Sequence, residues 1–151
     1  MKCDLVSILS AGLTPLIAVI TAYVAYQQFR TNRNKLRLDL YDRRFALFDA
    51  LAGLCASVGQ SMKPGSDELG RFLQVRHATQ FLFDAETASY LETVRVKALR
   101  LQYLDGRLGS DGLPVGDDRT KAANEQSELA KWFTDQFDVS RAHFAQYLRF
   151  K

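Results

Sequence analysis

An uncharged, mainly apolar run from Leu5 to Tyr26 constrains this chain more than any other feature of its sequence. As an α-helix the run is roughly 33 Å long, enough to cross the hydrocarbon core of a bilayer. It does not match a cleaved signal peptide, because cleavage after Ala22 places Ile20 where a small residue is needed. A buried helix of a soluble protein is the main alternative, since the run contains several polar residues. Such helices rarely continue this far without a charge, so the run predicts a transmembrane helix.

The positive charge near this run lies almost entirely on its C-terminal side. Lys2 and the α-amine precede the run, whereas a series of cations follows it: Arg30, Arg33, Lys35, Arg37, Arg43 and Arg44. Because such residues accumulate on the cytoplasmic side of a span, we expect the N-terminus outside and the C-terminus in the cytoplasm. The predicted divisions are an extracytoplasmic tail (1–4), a transmembrane helix (5–26), a basic juxtamembrane segment (27–35) and a cytoplasmic helical bundle (36–151). The bilayer is an expected partner, with lipid head groups contacting Arg30, Arg33, Lys35 and Arg37.

Small residues within the run recur at alternating spacings of four and three. They form the predicted seam: Ser7, Ala11, Thr14, Ala18, Thr21 and Ala25. In lipid, helices associate through close backbone approach and inter-helix hydrogen bonds, which small and hydroxylated residues permit. The seam predicts a homo-oligomer with left-handed helix crossing. The alternative is that small residues are simply common in spans and that Pro15 beside the seam only kinks the helix.

Beyond the span the apolar residues recur with the period of an α-helix. Two neighbouring stripes mark the first helix, one made of Tyr41, Phe45, Phe48, Ala52, Cys55 and Gly59, the other of Leu40, Leu47, Leu51, Leu54 and Val58. Residues 27–34 contain mediocre helix formers but no Gly or Pro, which leaves open whether this helix continues the span. The pattern predicts an all-α fold, in which an N-terminal transmembrane helix precedes a cytoplasmic antiparallel helical bundle.

Turn signals divide the rest of the bundle into three further helices. Pro64–Ser66 ends the first helix, and the next carries Leu69, Phe72, Val75, Ala78 and Leu82 on one face. Asp84 is the expected N-cap of a helix whose apolar face comprises Leu91, Val94, Ala98 and Leu101. A loop at 109–118 precedes the last helix, whose expected inward residues are Leu129, Phe133, Phe137, Phe144 and Leu148.

Side chains able to carry catalysis or hold a metal are sparse. Neither His77 nor His143 has a Cys, Asp or Glu at metal-ligand spacing, and the loop acids lack the alternation of a calcium site. No serine has a histidine and an acid placed to indicate a nucleophile. Cys55 is expected to be a small buried residue. The formal charge of +3 comes from the segment beside the span, which argues against nucleic-acid binding. We predict no enzymatic activity, no metal and no cofactor.

The segment Leu38–Leu51 begins with the form Leu-x-Leu-[Tyr/Phe]-x-x-Arg-Phe-x-[Leu/Val]-[Tyr/Phe], which covers Leu38–Phe48. Together with Phe81–Asp84, Tyr90–Leu91 and Phe144–Phe150, it resembles a loose group of small bacterial single-span membrane proteins with an N-terminal transmembrane helix and a cytoplasmic helical domain. The resemblance implies a bacterial inner-membrane protein and brings no catalytic residue with it.

The arginine of that motif, Arg44, suggests one specific contact inside the bundle. We expect its guanidinium to pair with an acid such as Glu86 or Glu92 and to anchor the first helix.

Two classes of function remain open. The first is a self-assembling or membrane-tethered adaptor or scaffold that receives a cytoplasmic protein partner. The second is a membrane-permeabilising effector, such as a toxin, a holin-like protein or a phage-defence protein, whose spans oligomerise. The patterned bundle favours the first class. The hydroxyl-bearing seam, continued by Gln28 and Asn32, favours the second.

Overall fold

The basic segment has no Gly or Pro to break a helix, and the backbone stays α-helical through it. The structure, a computed structural model, describes residues 2–79, 81–109 and 114–148, with side chains from residue 15 onward. Within these ranges there are four α-helices and no strand: α1 (Lys2–Ser61), α2 (Ser66–Thr79), α3 (Ala85–Leu108) and α4 (Asp117–Leu148). The all-α prediction is confirmed, and the continuity that the sequence left open is present in α1. The chain divides into two compact units, Met1–Leu40 and Tyr41–Lys151.

Helix α1 ends at a residue with left-handed backbone geometry. Met62 has a φ of 57°, and its N–H donates to the carbonyl oxygen of Val58 at 2.8 Å. A side chain in this region is strained, because the Cβ crowds the backbone, and glycine is the usual residue there. Pro64 follows and cannot extend the helix. The N–H of Gly65 then donates to the hydroxyl of Ser57, which ties the turn back to α1.

Helix α3 begins as the sequence predicts. Asp84 is the N-cap, and its carboxylate accepts a hydrogen bond from the backbone N–H of Thr87 at 2.8 Å. Acidic residues occupy the first turns of α2 and α4, where the positive end of the helix dipole favours them: Asp67 and Glu68 in α2, Asp117 and Asp118 in α4.

The core of the second unit is built from one apolar face of each helix. Its fully buried apolar side chains are Leu47, Leu51, Leu54 and Val58 of α1, Phe72 of α2, Val94, Ala98 and Leu101 of α3, and Phe133 and Phe144 of α4. The ring of Phe144 lies 5.6 Å from that of Phe48 and 5.4 Å from that of Phe83. Apolar burial of this extent is the main force that holds such a bundle together.

The structure corrects several predicted inward positions. Of the two stripes predicted to face the core from α1, the leucine-rich one is buried from Leu47 onward, and so is Cys55 of the other, against which the partly buried Phe48 also packs. Phe45 and Gly59 of that second stripe are exposed. Ala78 of α2 is also exposed. On α4, Phe137 is 44 % exposed. The neighbouring polar residues Gln136 and Ser140 are buried instead. The Gln136 amide nitrogen donates to the carbonyl oxygen of Trp132, and the Ser140 hydroxyl donates to that of Phe137, so each buried polar side chain is hydrogen-bonded to its own helix.

Candidate functional site

Helix α1 carries apolar side chains on all of its sides over residues 15–29. The large ones are each at least 45 % exposed: Leu16, Ile17, Val19, Ile20, Tyr23, Val24, Tyr26 and Phe29. A helix that is apolar all round is typical of a buried or membrane-embedded helix. No helix in the described part of the chain is both long enough and apolar enough to cross a membrane. The predicted span, 5–26, begins among residues whose side chains lie outside that part.

The predicted seam of small residues falls partly within the described side chains. Ala18, Thr21 and Ala25 are spaced by three and four within one continuous helix, so they share a face. The hydroxyl of Thr21 donates a hydrogen bond to the carbonyl oxygen of Ile17 at 2.7 Å. The single donor of the Thr21 hydroxyl is therefore used within its own helix. The other predicted members lie outside the described side chains: Ser7, Ala11 and Thr14.

The four predicted head-group residues do not share one side of α1. A cleft of about 390 Å³ is lined by Arg30, Arg33 and Arg37 together with Tyr26, Phe29 and Asn34. The arginines are spaced by three and four, which keeps their side chains on one face. Lys35 does not line the cleft, and at ~100° per residue it lies ~140–160° around the helix from each arginine. The structure brings three of the predicted residues together and leaves Lys35 on the other side.

Aromatic side chains accompany these arginines, and the sequence prediction omitted them. Tyr26 and Phe29 line the same cleft. Tyr26 could have been predicted from the sequence, because residues four apart, such as Tyr26 and Arg30, lie on the same face of a helix. The hydroxyl of Tyr23 accepts a hydrogen bond from the amide of Gln27 at 2.9 Å. Tyrosine is enriched at membrane–water boundaries, because its ring is apolar and its hydroxyl is polar. These aromatic residues lie where the apolar side chains give way to charged ones.

A polar and aromatic network joins three helices in the second unit. The guanidinium of Arg44 lies 5.2 Å from the ring centroid of Tyr147, a cation–π geometry. The Tyr147 hydroxyl accepts from the backbone N–H of Asp84 at 3.3 Å and lies 3.4 Å from the hydroxyl of Thr87. The Thr87 N–H and the Tyr147 hydroxyl, in that order, lower the pKa of the Asp84 carboxyl. The network links α1 and α4 to the capped start of α3.

The predicted pairing of Arg44 with Glu86 or Glu92 is wrong. Glu92 pairs with Arg95 of its own helix, at 2.6 Å, and with Arg76 of α2. Hydrogen bonding from Arg95, followed by the charge of Arg76, lowers the pKa of Glu92. Arg44 forms no ion pair with either acid in the described residues, and its Nε is buried there without a hydrogen-bond partner. The contact that Arg44 makes with the rest of the bundle is aromatic, through the ring of Tyr147.

A groove of about 580 Å³ lies between the start of α3 and the end of α4. It is lined by Glu86, Val139, Ala142, His143, Ala145 and Gln146. The imidazole of His143 stacks on the ring of Tyr90, with centroids 4.5 Å apart. The Tyr90 hydroxyl is buried and has no hydrogen-bond partner among the described residues, and burial raises its pKa. The groove therefore has both polar and apolar lining residues, and stacking on Tyr90 holds the His143 ring in place.

Cys55 and the described His, Asp and Glu side chains are the other groups with reactive or metal-binding chemistry. Cys55 is buried, which raises the pKa of its thiol to about 12, so the thiol stays protonated near neutral pH. Over residues 15–79, 81–109 and 114–148, no three His, Cys, Asp or Glu residues are grouped to hold a metal ion. The described surface carries an exposed apolar stretch of α1, a basic cleft and a groove on the bundle.

Comparison with family models finds no match, and neither curated proteins nor solved structures match the chain. The likeness to small single-span bacterial proteins therefore stays a prediction that rests on the sequence motifs alone.

Proposed function

We propose that this chain is a single-pass protein of a bacterial inner membrane, that its span self-associates, and that its helical bundle is a tethered adaptor or scaffold for a cytoplasmic partner. The observation that carries the proposal is the exposed apolar surface on all sides of α1 over residues 15–29. Full burial of a large apolar side chain is worth roughly 1.5–3 kcal/mol. Summed over the half-exposed side chains of this segment, transfer from water into an apolar medium gains on the order of 10 kcal/mol.

The charges beyond this segment support an orientation. Arg30, Arg33, Lys35 and Arg37 follow the apolar residues directly and are all exposed. Cations of this kind remain on the cytoplasmic side and contact anionic head groups. The bundle, Tyr41–Lys151, is then on the cytoplasmic side as well.

The two units support the adaptor class over the permeabilising class. Tyr41–Lys151 has its own packed core, as expected of a separate domain, and we assign the partner to the open groove between α3 and α4. A water-filled assembly would use the hydroxyl groups of the seam. Thr21, the hydroxyl residue of the seam within the described side chains, donates its one hydroxyl hydrogen to Ile17 of its own helix and can only accept from water or from a neighbouring helix. The permeabilising effector is the alternative, and the dye-uptake experiment below distinguishes it from the adaptor.

Reporter fusions and induced expression test the proposal together. Fluorescent protein and alkaline phosphatase are fused in turn after Lys151, and uptake of a membrane-impermeant dye is followed after induction. We expect a fluorescent fusion, an inactive phosphatase fusion, and no more dye uptake than with a chain that begins at Tyr41. An active phosphatase fusion contradicts the orientation. Dye entry that requires residues 1–40 contradicts the adaptor and supports the effector.

A further inference from the structure

Three arginines form one basic face at the end of the apolar segment of α1. Arg30, Arg33 and Arg37 converge on the cleft of about 390 Å³, and Asn34 adds an amide to its lining. Neighbouring like charges at these spacings destabilise a helix. No acid pairs with the three guanidinium groups among the described residues. An anion held between them would remove this repulsion.

The type of cation indicates the type of anion. A guanidinium presents a planar fork of N–H donors that matches two oxygens of a phosphate, whereas the ammonium of a lysine is a point charge. All three cations of the cleft are arginines, and the one lysine of the segment, Lys35, lies outside it. Three positive charges exceed the single charge of a phosphodiester. They are better matched by a phosphate monoester or by two phosphates close together.

The other end of the cleft is apolar. Tyr26 and Phe29 line it on the side of the apolar segment and are 64 % and 68 % exposed. A cleft with a basic end and an aromatic end fits a molecule that carries phosphate beside hydrocarbon. We propose that Tyr26, Phe29, Arg30, Arg33 and Arg37 form a binding site for the head group of a multiply charged phospholipid. This inference rests on the proposed membrane anchoring, because the site is placed at the cytoplasmic leaflet.

Lipid binding to the full chain in detergent micelles tests the site. Phosphatidate, a monoester, and phosphatidylglycerol, a diester, are added separately, and bound lipid is counted by native mass spectrometry. We expect phosphatidate to bind with roughly tenfold higher affinity, at about one per chain. Equal affinity for the two lipids overturns the proposed match to a multiply charged phosphate.

The chain offers a matched control for net charge. Arg33→Gln and Lys35→Gln each remove one positive charge, from the cleft and from the opposite side respectively. We expect Arg33→Gln to weaken phosphatidate binding roughly tenfold and Lys35→Gln less than twofold. Arg33→Lys, which keeps the charge but loses the fork, should fall between them. If Arg33→Gln and Lys35→Gln weaken binding equally, attraction is diffuse and the cleft is not a site.

Inorganic phosphate separates a lipid site from a general phosphate site. We expect millimolar phosphate to leave phosphatidate bound, since it lacks the chains that contact Tyr26 and Phe29. Full competition by phosphate contradicts the lipid assignment. These measurements need no bilayer, so they can fail while the chain still resists extraction from membranes. Loss of membrane anchoring would instead refute the proposed function.

Discussion

Two phenylalanines on α4 allow a sharp test of the core. The sequence predicts that both Phe133 and Phe137 face inward, but the structure buries Phe133 completely and leaves Phe137 44 % exposed. The ring of Phe133 packs edge-on against Trp132, at 5.1 Å between centroids. Phe137 instead lies under the guanidinium of Arg141, at 5.6 Å. The two residues are one turn apart and have identical side chains.

The expected costs differ because only one substitution leaves a cavity. Phe133→Ala removes a fully buried ring and should lower the free energy of unfolding by ~3–5 kcal/mol. Phe137→Ala loses about half of the burial of a phenylalanine and a partly solvated cation–π contact, a cost of about 1–2 kcal/mol. For a domain whose total stability is ~5–15 kcal/mol, the first change is severe and the second is tolerable.

Urea unfolding of the full chain in mild detergent measures the difference. Trp132 is the single tryptophan of the sequence, so its fluorescence reports on the bundle without a signal from residues 1–40. With a slope of about 1–3 kcal/mol per M urea, Phe133→Ala should lower the midpoint on the order of 2 M and Phe137→Ala by less than about 1 M. Far-ultraviolet circular dichroism provides a second probe, since Phe133 contacts the tryptophan. Equal midpoint shifts in the two variants would refute the assigned core face of α4.

Three further predictions follow from individual contacts. Met62→Gly should raise stability by about 1 kcal/mol in the same urea titration, because glycine adopts the left-handed geometry without strain, and a loss of stability would contradict the turn. The lowered pKa of Asp84 means that its ionised carboxylate stabilises the fold above the ordinary value of 3.8, and that this contribution disappears as the pH falls through the folded-state pKa. Asp84→Asn keeps a capping side chain, so its melting temperature should fall less than that of the parent chain on acidification, and parallel curves would exclude the effect. Ala18→Leu should weaken association in a reporter of transmembrane helix pairing, while Val19→Leu on another face should not, and equal signals would make the seam spacing a coincidence.

The α1 core face and the start of α3 were predictable because local rules decide them. Leu47, Leu51 and Leu54 recur with helical period and are buried, and Asp84 precedes a helix that it does cap. Phe137 was predicted wrongly, because the core face of α4 runs from Phe133 to Phe144 through the polar residues Gln136 and Ser140, which a search for apolar residues passes over.

The sequence also failed to predict the partner of Arg44 and the separation of Lys35 from the three arginines. Which acid an arginine meets depends on the packing of distant segments, and Tyr147, its actual partner, lies at the other end of the chain. The separation of Lys35 from the cleft follows from helix geometry alone once α1 is known to be continuous. Because the sequence left that continuity open, it could not predict that Lys35 lies on the opposite side of α1 from the arginines.

Extraction of membranes with alkaline carbonate tests the central claim most directly. Cells expressing the full chain, and cells expressing a chain that begins at Tyr41, are lysed, and their membranes are washed and sedimented. If residues up to Tyr26 lie in the bilayer, the full chain stays in the pellet and the shorter chain stays in the supernatant. Release of the full chain into the carbonate supernatant, with its fold intact, would contradict the membrane anchor and the function proposed from it.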